Sequence, residues 1–201
     1  YVESLPNFMC IQETTRSYDP GGNGRWKLRD SIRELLQYRD KAESRTTLEV
    51  NGKAVQMHRE GMQGTFSSGE LGGVLRAVFS DKAKADFAWK ETDALGDSTL
   101  QVFDYHVAQP NSEFAVVGSN NKEVMVAFHG QVFIDNTARS VRRITLIADD
   151  LPRDFPTHYT SIAVDYDYVS INNHDYLMPI TAQLHLQQGR HEAVLNNIEF
   201  R

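Results

Sequence analysis

Few side chains in this 201-residue chain are placed to do chemistry. Asp165 and Asp167 in "VDYDYV" are two residues apart, so on a strand both carboxylates share one face. With Asp175 they could hold a hard cation, and with a nearby histidine they could serve acid–base chemistry. The spacing and the glycine of a calcium loop are missing, however, and an Asp-x-Asp pair on a strand is more often a solvated face, which is the reading preferred here. Seven histidines (His58, His106, His129, His158, His174, His185 and His191) invite a metal, yet none pairs with another at i+2 or i+4. "HEAVL" at His191 opens like the zinc-protease motif HExxH, but Leu195 stands where the second histidine is needed. Fewer than three convergent ligands can be argued, so no metal is expected. No serine lies in a GxSxG elbow, and "GGNG" and "GELGG" lack the lysine and the strand–loop–helix setting of phosphate loops. The expectation is a non-enzymatic protein without a cofactor.

Cys10 is the single cysteine, which excludes an intramolecular disulfide and any multi-cysteine zinc site. In "NFMCIQ" it reads as a small buried thiol rather than a nucleophile. The net charge is −6, from 21 basic and 27 acidic residues, which argues against binding a phosphate backbone. "RSVRRI" is the one tight basic cluster, and on a strand Arg142 faces away from Arg139, Val141 and Arg143. Nucleic acid is not an expected partner. No apolar run approaches the ~20 residues needed to span a bilayer. The chain starts at Tyr1 rather than Met, so the expectation is a trimmed N-terminus with any signal peptide already removed.

The elements that must position these groups are mostly strands. One helix stands out: in "SSGELGGVLRAVFSD", Leu71, Val74, Leu75, Val78 and Phe79 form one apolar stripe. Ser67 and Glu70 give a capping-box pattern at its start. Gly72 and Gly73 weaken it by about 1 kcal/mol each relative to Ala, which suggests close approach to another backbone. A second short helix, capped by Asp81, is expected in "DKAKADFAW". Elsewhere apolar and polar residues alternate, as in Phe8–Glu13, Leu28–Ile32, Leu100–Val107, Val124–Phe128, Ile162–Tyr168 and Ile180–Gln187. "DPGGNG", "VNGK", "QPNS", "GSNNK", "NNHD" and "QQGRH" separate them as turns. Consecutive strands without helices between them predict an antiparallel meander. "GQVFIDNTARSVRRITLI", Gly130–Ile147, is expected to be a central hairpin turning at Asp135–Ala138.

A sheet this large should curl, and a curled sheet needs its concave face filled. The fold class is therefore α+β: one domain over residues 1–201, a large curled antiparallel sheet or incomplete β-barrel wrapped around one or two helices. Such a sheet, lined by aromatics, could enclose an apolar cleft. The candidate lining is Leu71, Val74, Leu75, Val78, Phe79, Phe103, Tyr105, Phe128, Phe133 and Tyr166. The competing reading is a filled core without a ligand, with aromatic side chains in their ordinary structural role.

Three stretches carry a resemblance: "YVESLPNFMCIQETTR" at the start, "GQVFIDNTARSVRRI" in the middle and "VDYDYVSINNHDYLMPITAQL" near the end. Together they resemble the bacterial lipoprotein-carrier superfamily, which includes the periplasmic carrier LolA, the outer-membrane receptor LolB and the sigma-factor regulator RseB. The middle stretch is similar to the family's hairpin in which a strand runs out to Ile-Asp and returns. The last is similar to its strand pair joined by a polar turn, with Tyr176, Leu177 and Pro179 in the matching places. The resemblance spans nearly the whole chain, and "SLPNFMC" is similar to uncharacterised envelope proteins of this fold. It implies an incomplete barrel with helices plugging its open side, in the periplasm or secreted. It also implies a hydrophobic ligand such as a lipid or lipoprotein acyl chain, held between sheet and helix. An envelope protein partner is the other implied contact. The contrasting expectation is a protein–protein interaction or sensing module with a filled core.

Overall fold

The computed structural model describes residues 5–40, 42–55, 65, 71–96, 98–118, 122–189 and 191–201. Alternation places most of them in strands. The order is β1 (Phe8–Asp19), β2 (Lys27–Arg39), β3 (Ala42–Val50), β4 (Lys53–Ala54), α1 (Gly73–Phe79), β5 (Asp86–Leu95), β6 (Ser98–Val107), β7 (Ala115–Val117), β8 (Glu123–Met125), β9 (Phe128–Asp135), β10 (Ser140–Ala148), β11 (Thr157–Ile171), β12 (His174–Gln188) and β13 (Glu192–Phe200). Eleven strands form one sheet in the order β4-β3-β2-β1-β13-β12-β11-β10-β9-β6-β5, and β7 pairs with β8 in a separate hairpin. Every pairing is antiparallel, and the sheet is not closed into a barrel. The expected architecture, a large open antiparallel sheet on helix, is the one observed.

Direct cross-strand neighbours share a face. Their register draws one continuous row from β3 to β5: Val50, Ile32, Thr14, Ile198, Ala182, Val164, Ile144, Val132, Phe103 and Trp89. This row is the floor of the concave face. Helix α1 packs on its apolar part, where Val74, Leu75, Ala77 and Val78 join Phe128, Ile144, Leu146, Ile162, Val164 and Tyr166 in one cluster. The chain between β4 and β5, which carries α1, links the two opposite edges of the sheet.

The hairpin of β9 and β10 forms as expected. Asp135 accepts the backbone N–H groups of Thr137 (2.8 Å) and Ala138 (2.9 Å), which fixes the turn. Two expectations are corrected. The second helix is absent: residues 86–95 are β5, and α1 is the single α-helix among the described residues. Only Ala83 and Ala85 of "DKAKADFAW" turn inward, too few to dock a helix, whereas "DFAW" alternates as a strand. The expected helix start is also too early. Leu71 lies in a turn before α1, and Gly72 precedes the helix at φ 154°. The Ser67–Glu70 capping pattern and Gly69 lie outside the described residues. A Cβ on Gly73 would meet nothing within 4 Å, so close backbone approach is not why glycine stands there.

Candidate functional site

The ten candidate cleft residues sort into three groups. Val74, Leu75, Val78, Tyr105, Phe128 and Tyr166 are buried together in the main cluster, with Phe103 half-buried against it. There the sheet and helix are in contact, with Val78 1%, Phe128 0% and Tyr166 2% exposed, so these side chains form a packed core. Leu71 belongs to a second cluster with Leu36 and Met178, against which Phe8, Cys10, Tyr176 and Phe200 pack. Phe133 is half-buried, and Phe79 stands out at the rim, 46% exposed and stacked on Phe87 at 5.6 Å.

Tyr105 has a specific structural task. It lies opposite Gly130 on β9, and its hydroxyl donates across that glycine to the Thr145 carbonyl at 2.6 Å. A Cβ on Gly130 would sit 1.9 Å from the Thr145 carbonyl oxygen and 2.9 Å from the Tyr105 Oη. Burial pushes the phenol above its ordinary range, so it stays a neutral donor.

A hollow of about 620 Å³ lies over β5, β6 and β9, between Asp86, Lys90, Asp104 and His129, and a second apolar space lies around Leu71. A groove of about 500 Å³ is lined by Phe8, Met9, Cys10, Leu71, Val169, Ile171, Met178, Pro179, Ile180 and Phe200, with Asn7, Ser170, Asn172 and Arg201 at its polar margin. Small-molecule sites occupy roughly 300–1,000 Å³. Its floor is the Leu71–Met178–Phe200 cluster, and its walls include the exposed Met9 and Val169. Burial also raises the Cys10 thiol above its ordinary value, against the lowering effect of Arg45. A smaller hollow of about 240 Å³ opens beside α1, between Gly73, Val74, Arg76 and Ala77 on one side and Phe114, Leu146 and Ile162 on the other.

The groove was missed in the sequence, though a signal exists. "FMCI" is apolar in both strand phases, so apolar side chains stand on the outer face of β1 as well as the inner one. The rest of the concave face was unexpected in another way. Gln12, Thr14, Arg16, Glu34, Thr47 and Asn196 are all buried there, and Arg16 makes a two-pronged ion pair with Asp30 at 2.7 and 2.6 Å. Asn196 donates to the Thr65 carbonyl at 2.9 Å. The concave face is thus apolar under α1 and polar toward β1–β3.

The paired carboxylates do not converge on a histidine. Asp167 binds Arg142 at 2.7 Å, and Asp165 accepts from Arg143 (3.0 Å) and from the Thr181 hydroxyl (2.9 Å), on the face opposite Val164 and Tyr166; a register shift between Val141 and Arg143 brings both arginines to this face, against the simple alternation expected of them. The Arg142 hydrogen bond holds Asp167 below the usual carboxylate range despite some desolvation. His158, His185 and His191 line one hollow with Asp19 and Trp26, but no three metal-ligating side chains converge among the described residues. Among the same residues, no helix is long and apolar enough to cross a membrane.

No family model matches the sequence. No curated protein matches it significantly either. Among solved structures, the fold is similar to that of a LolA superfamily protein from Nitrosomonas europaea. The TM-score is 0.42 and the identity 8%, over 97% of this chain and 86% of that one.

Proposed function

We propose that the protein holds an apolar ligand, a lipid or acyl chain, in the groove around Leu71, in the bacterial envelope. The observation that carries this reading is the groove itself. It is about 500 Å³ of largely apolar space, open to solvent at Met9 and Val169 and floored by the cluster that leads toward α1. Burying hydrocarbon there stabilises the complex by about 0.8 kcal/mol per methylene. The polar margin of Asn7, Asn172 and Arg201 suits a headgroup left in water.

Val74 and Leu75 are already buried, so tryptophan there overpacks the core instead of blocking a cleft. The informative positions are Met9 and Val169, both exposed on the groove wall. Native mass spectrometry before and after organic extraction identifies any carried lipid. Titration with a fluorescent long-chain fatty acid then compares wild type with Val169→Asp and Met9→Asp. A charge in the groove should weaken binding at least about tenfold, since an unpaired carboxylate resists desolvation. Unchanged binding by folded variants would remove the groove from the function.

A second reading is favoured by the tight packing of Val78, Phe128 and Tyr166: a filled-core module that works through its surface. No adduct and no fatty-acid binding in wild type would select it.

A further inference from the structure

We propose that β5 is a self-association edge, through which two copies of this chain join their sheets about a twofold axis at Ala88. This inference goes beyond the ligand reading and does not depend on it. Strand β5 ends the sheet, and Asp86, Phe87, Ala88, Trp89 and Lys90 are all exposed. An edge strand presents a row of unpaired backbone groups. This one also carries exposed aromatics on the concave side: Phe87 (44%) and Trp89 (61%), with Phe79 (46%) stacked on Phe87. Trp89 is the exposed end of the apolar row that floors the sheet.

The sequence of the edge is complementary to itself. "DFAWK" reads acid, aromatic, small, aromatic, base. In an antiparallel pair centred on Ala88, Phe87 of each copy faces Trp89 of the other on one side of the sheet. Asp86 faces Lys90 on the other side, twice over. Such a contact is isologous and closes as a dimer. Cross-strand aromatic pairs and opposite charges each favour that register. A lysine on an edge ordinarily discourages pairing, but here the matching carboxylate lies where the twofold places it. The ladder is also self-limiting. A bulge follows Trp89 in the pairing with β6, and the chain before Asp86 is not strand.

Sedimentation equilibrium over a broad concentration range reads the association. Wild type should show a concentration-dependent dimer. Asp86→Lys places lysine against lysine and Lys90→Asp places aspartate against aspartate. Each should weaken the dimer about tenfold. The combined Asp86→Lys/Lys90→Asp variant restores opposite charges and should recover most of the wild-type affinity. The Lys90–Asp104 pair lost within each copy is exposed and 3.4 Å long, so it contributes little to the fold. Trp89→Ser should weaken the dimer independently of charge. Circular dichroism melts confirm that the variants fold. A wild type that stays monomeric throughout overturns the proposal, as does a double variant no tighter than the singles. Capture of a strand from another protein by a monomeric wild type also overturns it.

Discussion

Gly130 and Tyr105 show how one contact can set the local requirements of a sheet. The Tyr105 hydroxyl reaches Thr145 only because no Cβ intervenes at residue 130. Gly130→Ala should therefore cost about 3 kcal/mol or more, since the clash is with backbone that cannot move cheaply. A thermal melt should show it as a drop of roughly 2–4 °C per kcal/mol in a chain this long. Tyr105→Phe should cost only about 1 kcal/mol, the ordinary value of one hydrogen bond. Aspartates respond to pH in a definite direction. Backbone donors at Ala138 and Thr137 hold Asp135 low, and Arg142 holds Asp167 low. A depressed folded-state value means stability that is present above the unfolded value of about 4 and lost as pH falls through the folded one. Melting temperature should therefore hold from pH 7 to about 5 and fall steeply below 4, and Asp135→Asn should flatten that fall. The Asp135 turn could be read in the sequence because its chemistry is local. The glycine's role could not, because it depends on a tyrosine from another strand.

Helix α1 is where the apolar pattern and the final structure diverge most. The stripe of Val74, Leu75 and Val78 marks the helix and its buried face, but the helix starts only at Gly73, and the "DFAW" end of "DKAKADFAW" belongs to β5. Short segments near the edge of a sheet are decided by pairing with the next strand, and β5 pairs with β6 over its whole length. Apolar residues on strands gave the sheet, but the buried polar set of Gln12, Arg16 and Glu34 was invisible. Alternation assigns polar residues outward, and their burial depends on partners such as Asp30 on a different strand. Gly73 yields a clean test. With open space where a Cβ would go, Gly73→Ala should stabilise the fold by about 0.4–1 kcal/mol, by restricting the unfolded chain. If ligand entry needs α1 to move, the same substitution should slow fatty-acid uptake in stopped-flow mixing while leaving equilibrium affinity nearly unchanged. A faster uptake would separate α1 from entry.

Across the molecule, chain order and sheet order differ at one joint, and that joint governs how the fold is held. Strands β1–β4 form one meander and β5–β12, apart from the small hairpin, another. Strand β13 pairs with β1 on one side and β12 on the other. Ile11 and Arg201 exchange backbone hydrogen bonds of 2.7 and 2.8 Å at its end. The two meanders were readable from local turn signals, but the joint was not, because it unites segments nearly the full chain apart. Ile198 is the joint's buried apolar residue, 2% exposed between Thr14 and Ala182 in the concave row. Ile198→Ala should cost about 2–5 kcal/mol, from lost burial and the cavity left behind. Leu28→Ala, exposed on β2, should stay within about 0.5 kcal/mol. The sharper expectation concerns cooperativity. Because β13 carries the ladder between the meanders, weakening it should lower protection in both at once. Native-state hydrogen exchange of the Ile198→Ala variant should show parallel losses at β1–β2 and β11–β12. Loss confined to β13 and β1 would mean that the packing of α1 and the apolar core holds the larger meander together without the joint.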